Sequence, residues 1–166
     1  MQPELHIGPL TIQTFGLCFA VGFLGVALLD LAAVPLSLGY AIGRIGCQVS
    51  GDGDYGIHSN LPWAMSYPDG TVPTTDEVHP TPVYETLAMG VAGVVLWRLR
   101  DRFAPGVLFG LYLMIAGIER FLVEFIRRND EVLAGLTEAQ LIALAMLVLG
   151  ATIVAVRHDV PHPATA

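Results

Sequence analysis

Long apolar runs are the feature that most limits how this chain of 166 residues can fold. A membrane-spanning helix needs about 20 largely apolar residues. Four runs reach that length clearly, at about 10–29, 31–49, 83–99 and 137–156. A fifth, at about 107–126, qualifies although its second half is charged. The runs predict an all-α fold, a multi-pass transmembrane helical bundle of about five spans.

The boundary between the first two runs is short. Only the residues near Asp30 separate them, which is little chain for a hairpin between two spanning helices. One broken or tilted membrane element over residues 10–49 is therefore the alternative to two spans.

The composition agrees with membrane embedding. Charged residues make up 14% of the chain and hydrophobic residues 54%, whereas a soluble domain carries roughly 25% charge. The net charge of −7 argues against nucleic acid as a partner, because such partners require basic patches. The sequence contains no lysine, and arginine suits bidentate binding of phosphate or carboxylate. Cys18 and Cys47 lie in apolar runs, which indicates neither a disulfide framework nor a metal site.

The distribution of charge predicts an orientation. Residues 50–82 form a polar loop rich in Gly, Pro and Asp and free of arginine, so the positive-inside rule places this loop outside the cell. Arg98, Arg100 and Arg102 then mark the cytoplasmic side. Five spans put the N-terminus outside and the C-terminus in the cytoplasm.

The chain is expected to form one transmembrane domain over 1–157, followed by a disordered tail at 158–166. Residues 1–8 carry no cationic region. The first apolar run is therefore expected to be a retained membrane segment rather than a cleaved signal.

The hexapeptide GDGDYG, which ends at Gly56, matches the spacing G-x-G-x-x-G. A dinucleotide-binding turn must follow a strand and open a helix, and the following IHSNLPW does not open one. A calcium loop needs more oxygen ligands than Asp52 and Asp54 supply. The segment is interpreted as a glycine-rich turn where a helix leaves the membrane, with no metal and no cofactor.

Two arginines lie within apolar runs. Arg44 is about two turns before the polar loop, where it either snorkels to the interface or has a function. Arg120 and Glu124 lie four residues apart on one helical face, either as a self-neutralising pair or with Arg120 facing a polar cavity. A clamp of Arg44 and Arg120 for an anionic headgroup is favoured, because Arg44 has no acidic residue one turn away in its own helix.

The stretch HPTPVYE, from His79 to Glu85, leads from the polar loop into the next helix. Tyr84 and Glu85 are expected in its first turn, where the helix dipole favours a carboxylate. Capping and an interfacial tyrosine are the ordinary interpretation. The position of the stretch beside the loop that begins at Gly51 is what makes it a candidate site.

Taken together, these stretches resemble the prolipoprotein diacylglyceryl transferase family of bacterial inner membranes. The similar pieces occur in the family's order: IGPLTIQTFGLCFAVGF, GRIGC with GDGDYG, LPWAMSYPDG, HPTPVYE, RFLVEFIRRND and LTEAQLIAL. The resemblance implies an inner-membrane enzyme that moves the diacylglyceryl group of phosphatidylglycerol to the lipobox cysteine in a prolipoprotein signal peptide. The other product would be glycerol phosphate, and no cofactor is implied.

The resemblance also implies residue roles. Arg44 would hold the lipid phosphate and stabilise the charge that develops on it, Arg120 would complete the clamp, and Glu124 would orient Arg120. The substrate's thiol, as nucleophile, needs a proton acceptor. The substrate-binding positions implied by the motifs are Gly43, Gly46, Gly56, His79, Tyr84 and Glu85.

Departures from the family pattern keep other functions open. No His-Gly-Gly motif occurs in this sequence, although its histidine is the family's candidate base. Phe15, Cys47 and Ala116 stand where the family has tyrosine, asparagine and tyrosine. His79 and His58 are substitute bases only if they are not simply structural. The alternatives are a non-catalytic relative that binds anionic phospholipid or a lipoprotein precursor, and a small transporter or channel subunit with an arginine-lined anion path.

Overall fold

The protein is mostly helical. The computed structural model describes residues 4–7, 10–133 and 135–157, and the predicted tail at 158–166 and the side chain of Phe15 lie outside what it describes. The described helices are α1 (Thr14–Ser50), α2 (Thr81–Leu99), α3 (Val107–Glu124) and α4 (Glu138–Arg157).

Three antiparallel hairpins accompany the helices. The strands pair as β1 (Glu4–Ile7) with β2 (Leu10–Gln13), β3 (Met65–Tyr67) with β4 (Thr74–Val78), and β5 (Glu131–Leu133) with β6 (Leu136–Thr137).

The first two apolar runs form one helix. Helix α1 contains 37 residues and is continuous through Asp30, which corresponds to about 55 Å of helix. The Asp30 carboxylate accepts hydrogen bonds from the backbone N–H groups of Gly106, at 2.5 Å, and Phe109, at 2.8 Å. Asp30 thus caps the start of α3 and does not mark a turn between two spans.

Two helical segments in the described part of the chain are long and apolar enough to cross a membrane, namely Leu28–Ser50 and Glu138–Arg157. Helices α2 and α3 contain 19 and 18 residues, close to the length that a bilayer requires. The five runs therefore correspond to four helices, and the predicted number of spans stays a prediction.

Small residues bring α3 and α4 into close contact. A Cβ atom added to Gly150 would lie 2.6 Å from the carbonyl oxygen of Gly110, and one added to Gly117 would lie 2.9 Å from that of Ala143. Such contacts are typical of helix pairs in membranes. Helices α1 and α2 are joined instead by a hydrogen bond from the Ser37 hydroxyl to the Met89 carbonyl, at 2.8 Å.

The polar segment is folded against the ends of the helices. After Ser50 the chain turns at Gly51, whose φ of 56° favours glycine. The element directly before this turn is helix α1 rather than a strand, and the next helix begins only at Thr81. GDGDYG is therefore a turn at the end of a helix, as expected, rather than a dinucleotide-binding motif.

Helix α4 begins with a reciprocal cap. The backbone N–H of Gln140 donates to the Thr137 hydroxyl at 3.3 Å, and the Thr137 N–H donates to the Gln140 side-chain oxygen at 3.1 Å. This capping box explains why the helix starts within LTEAQ, directly after the β5–β6 hairpin.

Candidate functional site

A fully buried carboxylate lies near the polar-segment end of α2. Glu85 has no exposed surface, and it shares its helix face with Thr81 and Met89, which are also buried. A buried charge is costly unless it is paired. Glu85 lies just beyond the first turn of α2, and no side chain caps that helix. The capping interpretation of Glu85 is therefore wrong, and its partners must come from other helices.

Three arginines provide those partners. Arg44 of α1 contacts Glu85 through its Nε atom. Arg120 of α3 lies 3.7 Å from Glu85 Oε1, and Arg127, just after α3, lies 3.5 Å from the same oxygen. Glu85 thus joins arginines from either side of the polar segment. We call Arg44, Arg120, Arg127, Glu85 and Asp54 the arginine cluster.

Asp54 closes the arginine cluster on the side of the polar segment. Its Oδ2 atom contacts Arg44, and it lies 3.1 Å from Arg127 Nη2. Partial burial acts to raise the pKa of the Asp54 carboxyl, but attraction by Arg127 and Arg44 outweighs burial, so the pKa lies below its usual value. This aspartate of GDGDYG is a partner of arginine rather than a calcium ligand.

Arg44 is held further within its own helix. Its Nη2 donates a hydrogen bond to the Tyr40 hydroxyl at 3.2 Å, and its guanidinium carbon lies 5.0 Å from the centre of the Tyr40 ring. The side chain is only 14% exposed. Snorkelling alone therefore does not account for Arg44, because carboxylates from two other segments bind it.

Arg120 is bound less tightly than Arg44. Its Nη2 lies 4.0 Å from Glu124 Oε2, and its Nη1 has no hydrogen-bond partner in the described residues. Glu124 is also bound by Asn129, whose side-chain amide donates to Oε1 at 2.5 Å. With 27% of its side chain exposed, Arg120 retains donors that can bind an anion.

Two cavities adjoin the arginine cluster. One of about 400 Å³ is lined by Arg120 and Glu124, and by Val132 and Ile142 among others. The other, of about 280 Å³, is lined by Asp54, Tyr55, Arg127, Arg128 and neighbouring backbone. The cluster can therefore be reached both from a partly apolar side and from a polar one.

Not every predicted site residue belongs to the arginine cluster. His79 and Tyr84 lie in a separate group with Trp63, in which the Trp63 indole donates to the Tyr84 hydroxyl at 2.8 Å and His79 Nδ1 lies 3.3 Å from the same oxygen. His58 contacts Asn60. The two histidines considered as substitute bases are thus engaged elsewhere.

The three predicted glycines differ in their surroundings. A Cβ atom on Gly56 would lie 2.4 Å from the Ile126 carbonyl oxygen and 3.0 Å from the His79 Cβ. Gly56 therefore lets the polar segment pack against the chain that follows α3. Gly43 and Gly46 have open space where a side chain would be.

Sequence reasoning missed Arg127, Asp54 and Tyr40. Arg127 follows the fifth apolar run and received no role from the sequence, although its side chain is only 6% exposed. Tyr40 precedes Arg44 by one helical turn, and this spacing was the available signal. Cys47, Asp52 and Asp54 offer ligand atoms within 4.8 Å of one another. The Asp54 carboxylate is already paired with Arg44 and Arg127. The Cys47 thiol is also not a ligand that calcium prefers.

The family model and the similar proteins that were found point to the same family. A family model described as prolipoprotein diacylglyceryl transferase matches residues 25–156. The chain is also similar to proteins named phosphatidylglycerol–prolipoprotein diacylglyceryl transferase. The one from Idiomarina loihiensis is 36% identical over 128 residues, which cover 73% of this chain and 46% of the relative.

Two further relatives agree. The Polynucleobacter asymbioticus protein of that name is 36% identical over 129 residues, covering 73% of this chain and 47% of the relative. The Gloeobacter violaceus protein is 35% identical over 142 residues, covering 81% and 52%. The chain thus spans about half the length of the curated relatives it matches.

Proposed function

This chain belongs to the prolipoprotein diacylglyceryl transferase family, and on that basis we propose that it transfers the diacylglyceryl group of phosphatidylglycerol to the cysteine thiol of prolipoproteins. The acceptor is the lipobox cysteine of a prolipoprotein signal peptide. A thioether forms, and glycerol phosphate leaves. The chain acts in lipoprotein biosynthesis as a membrane-bound transferase.

The observation that carries this proposal is the incompletely bound Arg120 beside a cavity of about 400 Å³. Its buried Nη1 atom lies 3.7 Å from Glu85 Oε1, too far for a hydrogen bond, and has no hydrogen-bond partner among the described residues. A phosphate oxygen supplies the missing acceptor, and Val132 and Ile142 provide apolar surface for the start of the acyl chains. An anionic lipid therefore matches both the positive charge of Arg120 and the apolar side chains that line this cavity.

The neighbouring carboxylates hold Arg44 and Arg120 in position to bind the lipid phosphate. Arg44 and Arg120 stabilise the charge that develops on the departing phosphate, which is worth more in a site with little water. Glu124 orients Arg120, and Glu85 holds the arginines together by one shared carboxylate.

The remaining predicted positions line the path of the substrates. Gly43 and Gly46 leave space along α1 for a lipid chain. Gly56 supports the polar segment above the cluster, and Tyr84 and His79 form a polar and aromatic edge at the start of α2. We assign these residues to substrate binding rather than to the chemical step.

We further propose an orientation in the bacterial inner membrane. The polar segment at 50–82 faces outside, and Arg98, Arg100 and the C-terminal end of α4 face the cytoplasm. A single crossing by the continuous α1 would put the start of that helix in the cytoplasm. The outside N-terminus predicted from charge requires a second crossing before Ser50.

A transfer assay tests the proposed function. The full chain is reconstituted into phosphatidylglycerol vesicles with a lipobox peptide, and the peptide mass is measured. The wild-type chain is expected to add the diacylglyceryl mass. Arg120→Ala is expected to lower the rate at least about 100-fold, because it removes an electrostatic contact to the leaving group.

Arg100→Ala is the matched control, since Arg100 is exposed and lies at the opposite end of the bundle. It should transfer at the wild-type rate. A wild-type chain that gives no mass shift, under conditions where the Idiomarina loihiensis protein does, would contradict the proposal. An unchanged rate in Arg120→Ala would remove Arg120 from the site.

A further inference from the structure

Glu119 is a buried carboxyl group for which no ion pair is found among the described residues. The residue is 8% exposed, and its Oε1 atom has no hydrogen-bond partner among the described residues. The ion pairs found in the described chain do not include it, although Arg120 is the next residue. An unpaired carboxyl group at this depth is costly and calls for an explanation.

Glu119 lies in the same layer as the arginine cluster. It follows Ala116 by one turn of α3, and Ala116 packs against Ala41 of α1 and Met89 of α2. Glu119 thus faces α1 and α2. Glu85, Arg44, Arg120 and Glu119 each lie about one to two turns from the polar-segment end of their helix.

The charged groups around Glu119 come from every neighbouring segment. Its carboxylate is repelled by Glu85 of α2 and attracted by Arg120 of α3, Arg44 of α1 and Arg127 after α3. It also acts on the Tyr40 hydroxyl of α1. On the side of α4, Glu138 lines the cavity next to Arg120.

The charge balance of this layer singles out Glu119. The three arginines of the cluster are matched by Glu85, Asp54 and Glu124, each of which contacts at least one arginine. Glu119 is a fourth carboxyl group beside three cations. It is therefore the carboxyl group whose change of protonation breaks no ion pair of the described cluster.

The proposed reaction needs a group of this kind. A thiol attacks as the thiolate, so its proton must be accepted during attack at neutral pH. His58 and His79 are engaged away from the cluster. The other cluster carboxylates are held by arginines, and accepting a proton would weaken those pairs.

We propose that Glu119 accepts the proton of the attacking cysteine thiol, an assignment that rests on the proposed function. The sulfur forms a bond to the glyceryl carbon as the bond from that carbon to the phosphate oxygen breaks. The bonding electrons leave with glycerol phosphate, whose charge the arginines stabilise, and the thiol proton moves to the Glu119 carboxylate. No oxidant, reductant or further reactant is required.

The test compares wild type, Glu119→Gln and Glu119→Asp in the reconstituted chain, with a lipobox peptide and phosphatidylglycerol vesicles between pH 6 and 9. Glu119→Gln is expected to lower kcat by about 100-fold or more at pH 7, the usual size of a lost general base. The KM for phosphatidylglycerol should stay unchanged. Glu119→Asp keeps the carboxyl group and should recover part of the rate.

The pH profile separates a proton acceptor from a structural role. Without an acceptor the reaction depends on thiolate formed in solution, so the rate of Glu119→Gln should rise about tenfold per pH unit up to a thiol pKa of about 8.5. The wild-type rate should rise less steeply. Glu77→Gln, at an exposed position of β4, is the control and should match wild type.

Each outcome decides the assignment. A transferring wild type with an equally active Glu119→Gln overturns it and leaves the proposed function intact. A Glu119→Gln rate that is low but parallel to wild type across the pH range also overturns it. A wild-type chain that does not transfer overturns the assignment together with the proposed function.

Discussion

At the polar-segment end of the helical bundle, Arg44, Arg120 and Arg127 lie among carboxylates. At the opposite end, Arg98, Arg100 and Arg102 are exposed. The side chains of Arg44 and Arg127 are 14% and 6% exposed. Arg100 is 42% exposed, pairs with the exposed Asp101 at 3.3 Å and stacks on Trp97 at 3.8 Å. Arginine is thus paired with buried carboxylates at one end of the bundle and exposed to water at the other.

The difference follows from what water can provide. At the exposed end, water solvates each charge, and a surface ion pair contributes roughly 0–1 kcal/mol. At the buried end, each charge needs a partner from the protein, so loss of one partner leaves another charge unpaired. A site that binds an anionic lipid is expected at the end where arginines are held by protein rather than by water.

The strongest way to test this comparison is to remove the shared carboxylate. Glu85→Gln is expected to destabilise the protein by about 3–5 kcal/mol, because three arginines lose a buried counter-charge. Thermal unfolding in detergent would measure the change. Asp101→Asn at the exposed end is the control and should change stability by less than about 1 kcal/mol. Similar effects for the two variants would contradict the distinction between the ends.

A smaller effect is expected from the close packing beside the cluster. Gly56→Ala places a methyl group 2.4 Å from the Ile126 carbonyl oxygen, which is expected to cost about 1–3 kcal/mol. Gly90→Ala, in the middle of α2, meets nothing within 4 Å and should stabilise the helix by up to about 1 kcal/mol. The two unfolding temperatures should therefore move in opposite directions. A Gly56→Ala chain as stable as wild type would show that the polar segment can shift away.

The smallest effect concerns pH. Because the pKa of Asp54 is lowered in the folded protein, its ion pairs stabilise the fold above the unfolded pKa of about 3.9 and are lost as the pH falls through the folded pKa. Asp54 is 36% exposed, so its contribution at neutral pH is expected to be below about 1 kcal/mol.

Asp54→Asn provides the comparison for this pH effect. The stability difference between wild type and Asp54→Asn should be constant from pH 7 to 5. It should begin to fall near pH 3.9 and vanish below the folded pKa of Asp54. Urea unfolding at several pH values would measure it. A difference that grows as the pH falls would have the wrong sign for this ion pair.

Much of the site was accessible from the sequence. Arg44, Arg120 and Glu124 were predicted from charges within apolar runs, and Glu85 from its place beside the polar loop. Arg44 and Arg120 both contact Glu85, and the roles assigned to these residues stay predictions. Arg127 was not predicted, because in the sequence it resembles an ordinary charge at a helix end.

The fold, like the site, was predicted in part from the sequence. The positions of α2, α3 and α4 follow the apolar runs closely, while α1 joins two runs into one helix. Asp30 looked like the boundary between two spans because an acidic residue is rare within a span. Its role as a cap for α3 depends on a residue more than 70 positions away.

The sequence by itself determined the helical segments, the polar segment and the family, because these depend on local composition and on ordered motifs. The tertiary structure decided which charges neutralise one another. Arg127 and Asp54 are 73 residues apart in the chain. They meet where Gly56 packs closely against Ile126, just after α3. Composition fixes how much charge a membrane bundle must neutralise, and packing alone brings the partners together.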